Sequence, residues 1–166
     1  MRIGLLSDTH DDLGNLKKAL DRFRQEGIST IIHCGDLTRP VLARQFAPFR
    51  VIYLFGNMDG DRAAIDRIVS EQNDANFAGQ QFVGQLEGVS IAATHGHLEQ
   101  TLQELIKGGQ HRYVFHGHTH RQRDERHGPT RLINPGALGG VRYEPRSIAI
   151  LDLDADTLSF IEIAQR

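Results

Sequence analysis

Apolar residues in this chain gather into short runs, each closed by a small polar signature. The runs at 3–6, 30–32 and 51–55 are rich in β-branched and aliphatic residues and bounded by glycine. That is the pattern of strands buried on both faces. Between them the spacing of apolar residues becomes helical. Leu13, Leu16, Leu20 and Phe23 mark one face of a helix, with Asp11 or Asp12 as N-cap and Gly27 as stop. Pro40 suits the first turn of a short second helix carrying Val41, Leu42 and Phe46. Ile65, Ile68 and Val69 predict a third helix that starts near Asp61. The order β-α-β-α-β-α favours parallel strands joined by right-handed crossovers.

The pattern then changes. Segments 81–86 and 89–94 flank Glu87-Gly88, a hairpin signal. Leu98, Leu102, Leu105 and Ile106 predict a fourth helix, stopped by Gly108-Gly109. From residue 113 onward the sequence reads as strands only, at 113–115, 130–133, 147–153 and 158–163, with Asp154-Ala155-Asp156 turning the last pair. A mostly parallel half followed by a mostly antiparallel half predicts two packed sheets with helices outside. No linker or internal repeat interrupts the chain, so residues 1–166 read as one α/β domain.

Composition adds limits. Hydrophobic residues make up 39% and charged residues 24%, as in a globular chain. The formal net charge of −2 gives no footprint for nonspecific nucleic-acid binding, although Arg121, Arg123 and Arg126 form a local basic patch able to steer an anion. No apolar run reaches membrane-spanning length, and the N-terminus enters a strand directly, so no membrane partner and a cytoplasmic location are expected. Cys34 is the one cysteine, which rules out an intramolecular disulfide and a thiolate metal cage.

The chemistry lies in the polar signatures: Asp8-Thr9-His10, Gly35-Asp36, Gly56-Asn57-Met58-Asp59, Thr94-His95-Gly96-His97 and Gly117-His118-Thr119-His120. Each alone is weak. Asp-x-His is a common loop with a helix cap, and Gly-Asp is a common turn. Together they follow five runs that read as strands, and ligands of open α/β sheets collect beyond the carboxyl ends of the strands. Asp, Asn and His suit a divalent ion where no thiolate is available. Without cations, Asp8 and Asp36 at buried strand ends would meet a desolvation penalty and mutual repulsion.

In order and spacing these signatures resemble the motifs of calcineurin-like metallophosphoesterases, from about residue 3 to 136, and the short chain with Asn134-Pro135-Gly136 is most similar to the small single-domain phosphodiesterases of that superfamily. The resemblance implies a four-layer α/β/β/α sandwich of two mixed sheets. It implies two divalent metal ions, the first held by Asp8, His10 and His120, the second by Asn57, His95 and His118, with Asp36 bridging. Manganese is the preferred ion, with zinc, iron, nickel and cobalt as the other choices. It also implies hydrolysis of a small phosphate ester, a diester in the first place, by a hydroxide shared between the ions. A phosphomonoesterase with the same site and a scaffold that keeps only the fold are the alternatives. A homodimer fits the family's small members.

One position departs from the pattern. Many relatives carry histidine where this chain has Met58, and a thioether cannot protonate a leaving group. Asp59 and His97 are the candidates to replace it by proximity in sequence. For Asp59 the rival reading is a structural cap that orients Asn57; for His97 it is an exposed residue opening the helix at Leu98. His33, His111 and His127 match no motif position.

Overall fold

The computed structural model describes residues 1–163; residues 164–166, which the expected domain includes, lie outside that description. Six strands form one sheet: β1 (Arg2–Leu6), β2 (Thr30–His33), β3 (Arg50–Leu54), β4 (Phe77–Gly79), β10 (Ser147–Asp152) and β11 (Thr157–Glu162), in the order β11-β10-β1-β2-β3-β4. The other sheet contains β5 (Gln81–Leu86), β6 (Val89–Thr94), β7 (Tyr113–Phe115), β8 (Gln122–His127) and β9 (Thr130–Pro135), in the order β5-β6-β7-β9-β8. Three α-helices, α1 (Leu13–Gln25), α2 (Arg62–Gln72) and α3 (Glu99–Lys107), and a 3₁₀ helix at Pro40–Phe46 complete the described fold.

Three separate apolar layers define the stacking. Successive side chains on a strand point to opposite faces. Ile31, Val51, Tyr53, Ile148 and Ile150 therefore pack outward against Leu16, Leu20 and Phe23 of α1 and Ile65 and Val69 of α2. Ile3, Leu5, Ile32, Ile52, Leu54 and Leu151 pack the opposite way, onto Ile91, Ala93, Tyr113, Phe115 and Ile133 of the second sheet. The outer face of that sheet, Ala92, Val114 and Leu132, is covered by Leu102, Leu105 and Ile106 of α3. Helix, sheet, sheet, helix is thus the order of layers, as expected.

Local signals act where the sequence places them. Asp12, not Asp11, caps α1, accepting from Asn15 N at 2.8 Å. Gly27 (φ 69°) closes α1 with Ile28 N to Phe23 O at 2.9 Å and Gly27 N to Arg24 O at 3.0 Å, a Schellman pair. Asp61 caps α2. Glu87 and Gly88 both have positive φ, the two-residue turn that matches strand twist.

Three expectations need correction. The second half is mostly antiparallel, as in β5–β6, β8–β9 and β10–β11, but it does not form one sheet by itself. Strands β6, β7 and β9 run parallel within the second sheet, while β10 pairs with β1 in the first and carries β11 at the edge. Two strands escaped the sequence reading. β4 has three residues, and β8 is Gln-Arg-Asp-Glu-Arg-His, an exposed edge strand whose only partner is β9, so no apolar alternation marks it. The short second helix is 3₁₀. Among the described residues, no helix is long and apolar enough to cross a membrane.

Candidate metal centre

β1, β2 and β3 run parallel in one sheet and β6 and β7 in the other, so the loops after their carboxyl ends carry the polar signatures. Backbone hydrogen bonds lock these loops to one another. Asp8 N donates to Gly35 O at 2.9 Å, His10 N to Asp36 O at 2.9 Å, Gly117 N to His95 O at 2.9 Å and Gly139 N to Asp8 O at 2.7 Å.

The side chains converge on two overlapping groups. Ligand atoms of Asp8, His10 and His120 lie within 4.8 Å of one another, as do those of Asp8, Asp36 and His95. His10 Nε2 and His120 Nε2 are 3.1 Å apart, and His120 Nε2 is 3.3 Å from Asp8 Oδ1. Asp36 Oδ2 sits 3.3 Å from His95 Nε2 and 3.7 Å from His10 Nε2, between the groups. Asn57 Oδ1 is 3.2 Å from His95 Nε2, and the His118 ring centroid is 5.1 Å from that of His95. Thus the seven expected ligands occupy one place.

The donor set fits divalent cations. Asp8 is fully buried, and its Oδ1 has no hydrogen-bond partner, while Oδ2 is taken by Ser7 Oγ at 2.5 Å and His118 N at 3.0 Å. A buried carboxylate oxygen facing only ring nitrogens needs a positive charge. His95 Nδ1 is 2.5 Å from Cys34 O and His120 Nδ1 is 2.8 Å from Val141 O. A carbonyl only accepts, so each Nδ1 carries the proton and each Nε2 presents its lone pair to the centre, the usual support of a metal-ligating imidazole. Burial pushes the His95 ring down, but Asp36 and Asp8 outweigh it and hold its pKa above the usual value. The Asp8 carboxylate beside it likewise raises His120. Burial lowers His10 and His118. The carboxylates draw positive charge to this cluster.

The backbone is bent to reach this arrangement. Asp8, His10, Asp36, His118 and His120 all have φ between 42° and 66°, the left-handed region that costs a non-glycine residue about 1–2 kcal/mol. Close approaches add to it. A Cβ on Gly117 would stand 1.9 Å from Ser7 Oγ, and one on Gly56 would stand 2.0 Å from Asp36 Oδ1.

Asp59 and His97 lie in different settings. Asp59 is buried and accepts from Gly56 N, Tyr53 Oη, Asp36 N, Leu37 N and Thr38 N at 2.8–3.2 Å. Five donors leave it no capacity for substrate, and they tie the Asp36 loop to the Asn57 loop. His97 is half-buried, 5.4 Å from the His95 ring, and its Nδ1 is unpartnered. Met58 is exposed at the rim, while its backbone N donates to Asp36 Oδ1 at 2.8 Å.

Several supporting groups were invisible in the sequence. The carbonyls of Cys34 and Val141 carry no side-chain signature. Arg146 clamps Gly139 O at 2.5 Å and Gly140 O at 2.6 Å, holding the loop that supports His120; the Gly139-Gly140 pair was the one available hint. His33 accepts Gly35 N on Nδ1 at 3.1 Å, so its Nε2–H donates to Thr9 Oγ1 at 2.8 Å. The basic patch does not survive as a steering device, because Arg123 pairs with Glu125, Arg126 with Asp156 and Arg121 with Glu144.

A two-sheet sandwich with carboxylates and imidazoles gathered at its strand ends is the frame of a metallohydrolase, and the sequence agrees: residues 1–156 match the calcineurin-like phosphoesterase superfamily domain, and the chain belongs to that superfamily. A phosphodiesterase of Methanocaldococcus jannaschii is 33% identical over 156 residues, covering 93% of this chain and 94% of that protein. A solved archaeal phosphodiesterase superposes with a TM-score of 0.92 at 32% identity, covering 98% of this chain and 99% of that one. The phosphoesterase Yfce of E. coli, at 21% identity and a TM-score of 0.72 with 99% and 100% coverage, shares the fold.

Proposed function

We propose that this chain is a metal-dependent phosphodiesterase, one domain over residues 1–166, using two divalent ions with manganese preferred. Asp8, His10 and His120 hold one ion, Asn57, His95 and His118 the other, and Asp36 both. The single observation that carries the reading is the buried, unpartnered Asp8 Oδ1 among ring nitrogens whose far sides are fixed by carbonyls. When bound, such an ion pair supplies an activated water and positive charge for phosphoryl oxygens. The chain supplies orientation: Cys34 O and Val141 O fix two rings, and Asp59 fixes the loops of Asp36 and Asn57.

No nucleophilic side chain is needed. Cys34 is fully buried, and burial raises its thiol well above the ordinary range. With Met58 at the rim, nothing at that position protonates the leaving group. Turnover therefore depends on how readily the ester departs as an anion. Across substituted phenyl diesters we expect a steep fall in rate with rising leaving-group pKa; a flat series points to an efficient proton donor, with His97 the first to substitute. The function itself is tested by turnover of aryl diesters, aryl monoesters and cyclic nucleotides with manganese, zinc, iron, nickel and cobalt. Diester preference supports the reading, and monoester preference replaces it with a phosphomonoesterase.

A further inference from the structure

The site of Asp8, His10 and His120 leans on a loop that contributes no ligand of its own. Gly139 N donates to Asp8 O, and Val141 O holds His120 Nδ1. The approach is close. A Cβ on Gly139 would stand 2.1 Å from Thr9 O, and one on Gly140 would stand 2.5 Å from His10 Cδ2 and 2.7 Å from His120 Cε1. Yet Gly140, Val141, Arg142 and Tyr143 are exposed, so apolar burial does little to seat this stretch.

Arg146 supplies what burial does not. Its backbone is fixed, because Ile163 N donates to Arg146 O at 2.7 Å and the next residue opens β10. Its side chain is buried, and Nη1 and Nη2 each donate to one of the two successive carbonyls of Gly139 and Gly140. Two carbonyls one residue apart suit the rigid fork of a guanidinium better than the single point of an ammonium. Charge works against the placement. Arg146 opposes protonation of His120, and it opposes a metal ion there in the same sense. Geometry is what this buried cation contributes.

A second guanidinium serves the other site. Asn57 follows Gly56, whose N–H is held by Asp59 and whose carbonyl accepts from Arg62 Nη2 at 2.9 Å. Arg62 is itself fixed, with Nη1 donating to Gln80 Oε1 at 3.1 Å and its guanidinium 5.8 Å from the centroid of the Phe55 ring.

We propose that Arg146 and Arg62 are positioning residues that tune the two ions separately: Arg146 sets the affinity of the site of Asp8, His10 and His120, and Arg62 that of the site of Asn57, His95 and His118. The proposal rests on the ligand assignment above. Metal-free protein is titrated with zinc held at set free concentrations by a chelating buffer, and nitrogen NMR follows the His120 and His95 rings, one for each site. Arg146→Met should raise the free zinc at half-saturation about 10–100-fold at His120 and much less at His95, the size of effect seen when the outer partner of a metal ligand is lost. Arg62→Met should reverse that order. Arg146→Lys, which keeps the charge and can reach one carbonyl, should fall between the parent and Arg146→Met. A charge effect alone would instead tighten the His120 site in Arg146→Met, and a general loosening would shift both rings by one factor in both variants. Either result overturns the proposal. If Arg146→Met does not fold, Gly140→Ala decides, because its methyl presses the loop away from both rings. It should weaken the His120 site selectively, and midpoints equal to the parent's overturn the proposal. A parent protein whose rings ignore zinc overturns the ligand assignment itself, and the proposal falls with it.

Discussion

At Asp36 the two carboxylate oxygens face different neighbours: Oδ1 accepts from Met58 N, and Oδ2 lies toward both His95 and His10. Asp36→Asn keeps the shape and removes the charge. We expect activity to fall by orders of magnitude and bound metal to drop below two per chain. The stabilisation by added metal, about 2.7 kcal/mol at a hundredfold excess over Kd, should shrink with it. Elemental analysis and thermal melts with and without metal check this, and unchanged metal content would remove the bridging role. Met58 tests the opposite direction. Its side chain is 54% exposed beside Asn57, so Met58→His meets no packing cost. An imidazole there should raise kcat/KM on alkyl esters or monoesters by part of the ~10²–10⁴-fold typical of general acid catalysis, with little change on activated aryl diesters. Equal loss on both substrate types would show that position 58 does not face the leaving group. The grouping of Asp8, His10, Asp36, Asn57, His95, His118 and His120 was legible because each follows an apolar run. What supports them was not, since a carbonyl at position 34 or 141 can belong to any residue.

Between elements, Asp59 is the side chain that joins the β2 and β3 loops. It meets five donors from both. An amide offers one acceptor oxygen and turns a second donor toward the N–H groups. Asp59→Asn should therefore destabilise the metal-free protein by about 2–6 kcal/mol, as two buried donors lose partners worth ~1–3 kcal/mol each. Urea unfolding measures it; unchanged stability with lost turnover would return Asp59 to an acid–base role. The sequence left this residue between two readings because its burial and its donors depend on how the two loops meet. Likewise Thr30–His33 and Arg50–Leu54 were readable as strands from their own residues, whereas Gln122–His127 is a strand only because β9 lies beside it.

Across the whole molecule, Asp156 ties the two sheets together. It stands in the β10–β11 turn of one sheet and receives Tyr113 Oη, Arg131 and Arg126 from the other at 2.6–2.8 Å. Burial pushes its carboxyl up, but Arg126, Arg131 and Tyr113 outweigh that and hold it well below the usual range. A depressed carboxylate contributes stability above the unfolded pKa of about 3.9, and this is lost as pH falls below it. Asp156→Asn should be less stable than the parent at pH 7, with the difference narrowing below about pH 4. At the other end, burial and the bond to Asp156 push Tyr113 up to about 12, so its contribution fades from about pH 10 to 12. Denaturation midpoints across pH check both limbs, and a constant difference would place the stabilisation elsewhere. The return of β10 to the first sheet could not be read locally, because its partner β1 lies at the far end of the sequence. That pairing has a kinetic side. Gly4 faces Ile31 on one edge and Ile150 on the other. During synthesis β1 therefore waits with one edge bare until β10 has emerged, and Asp8 and His10, which follow β1 directly, are fastened only after the strands and helices between β1 and β10 have been made.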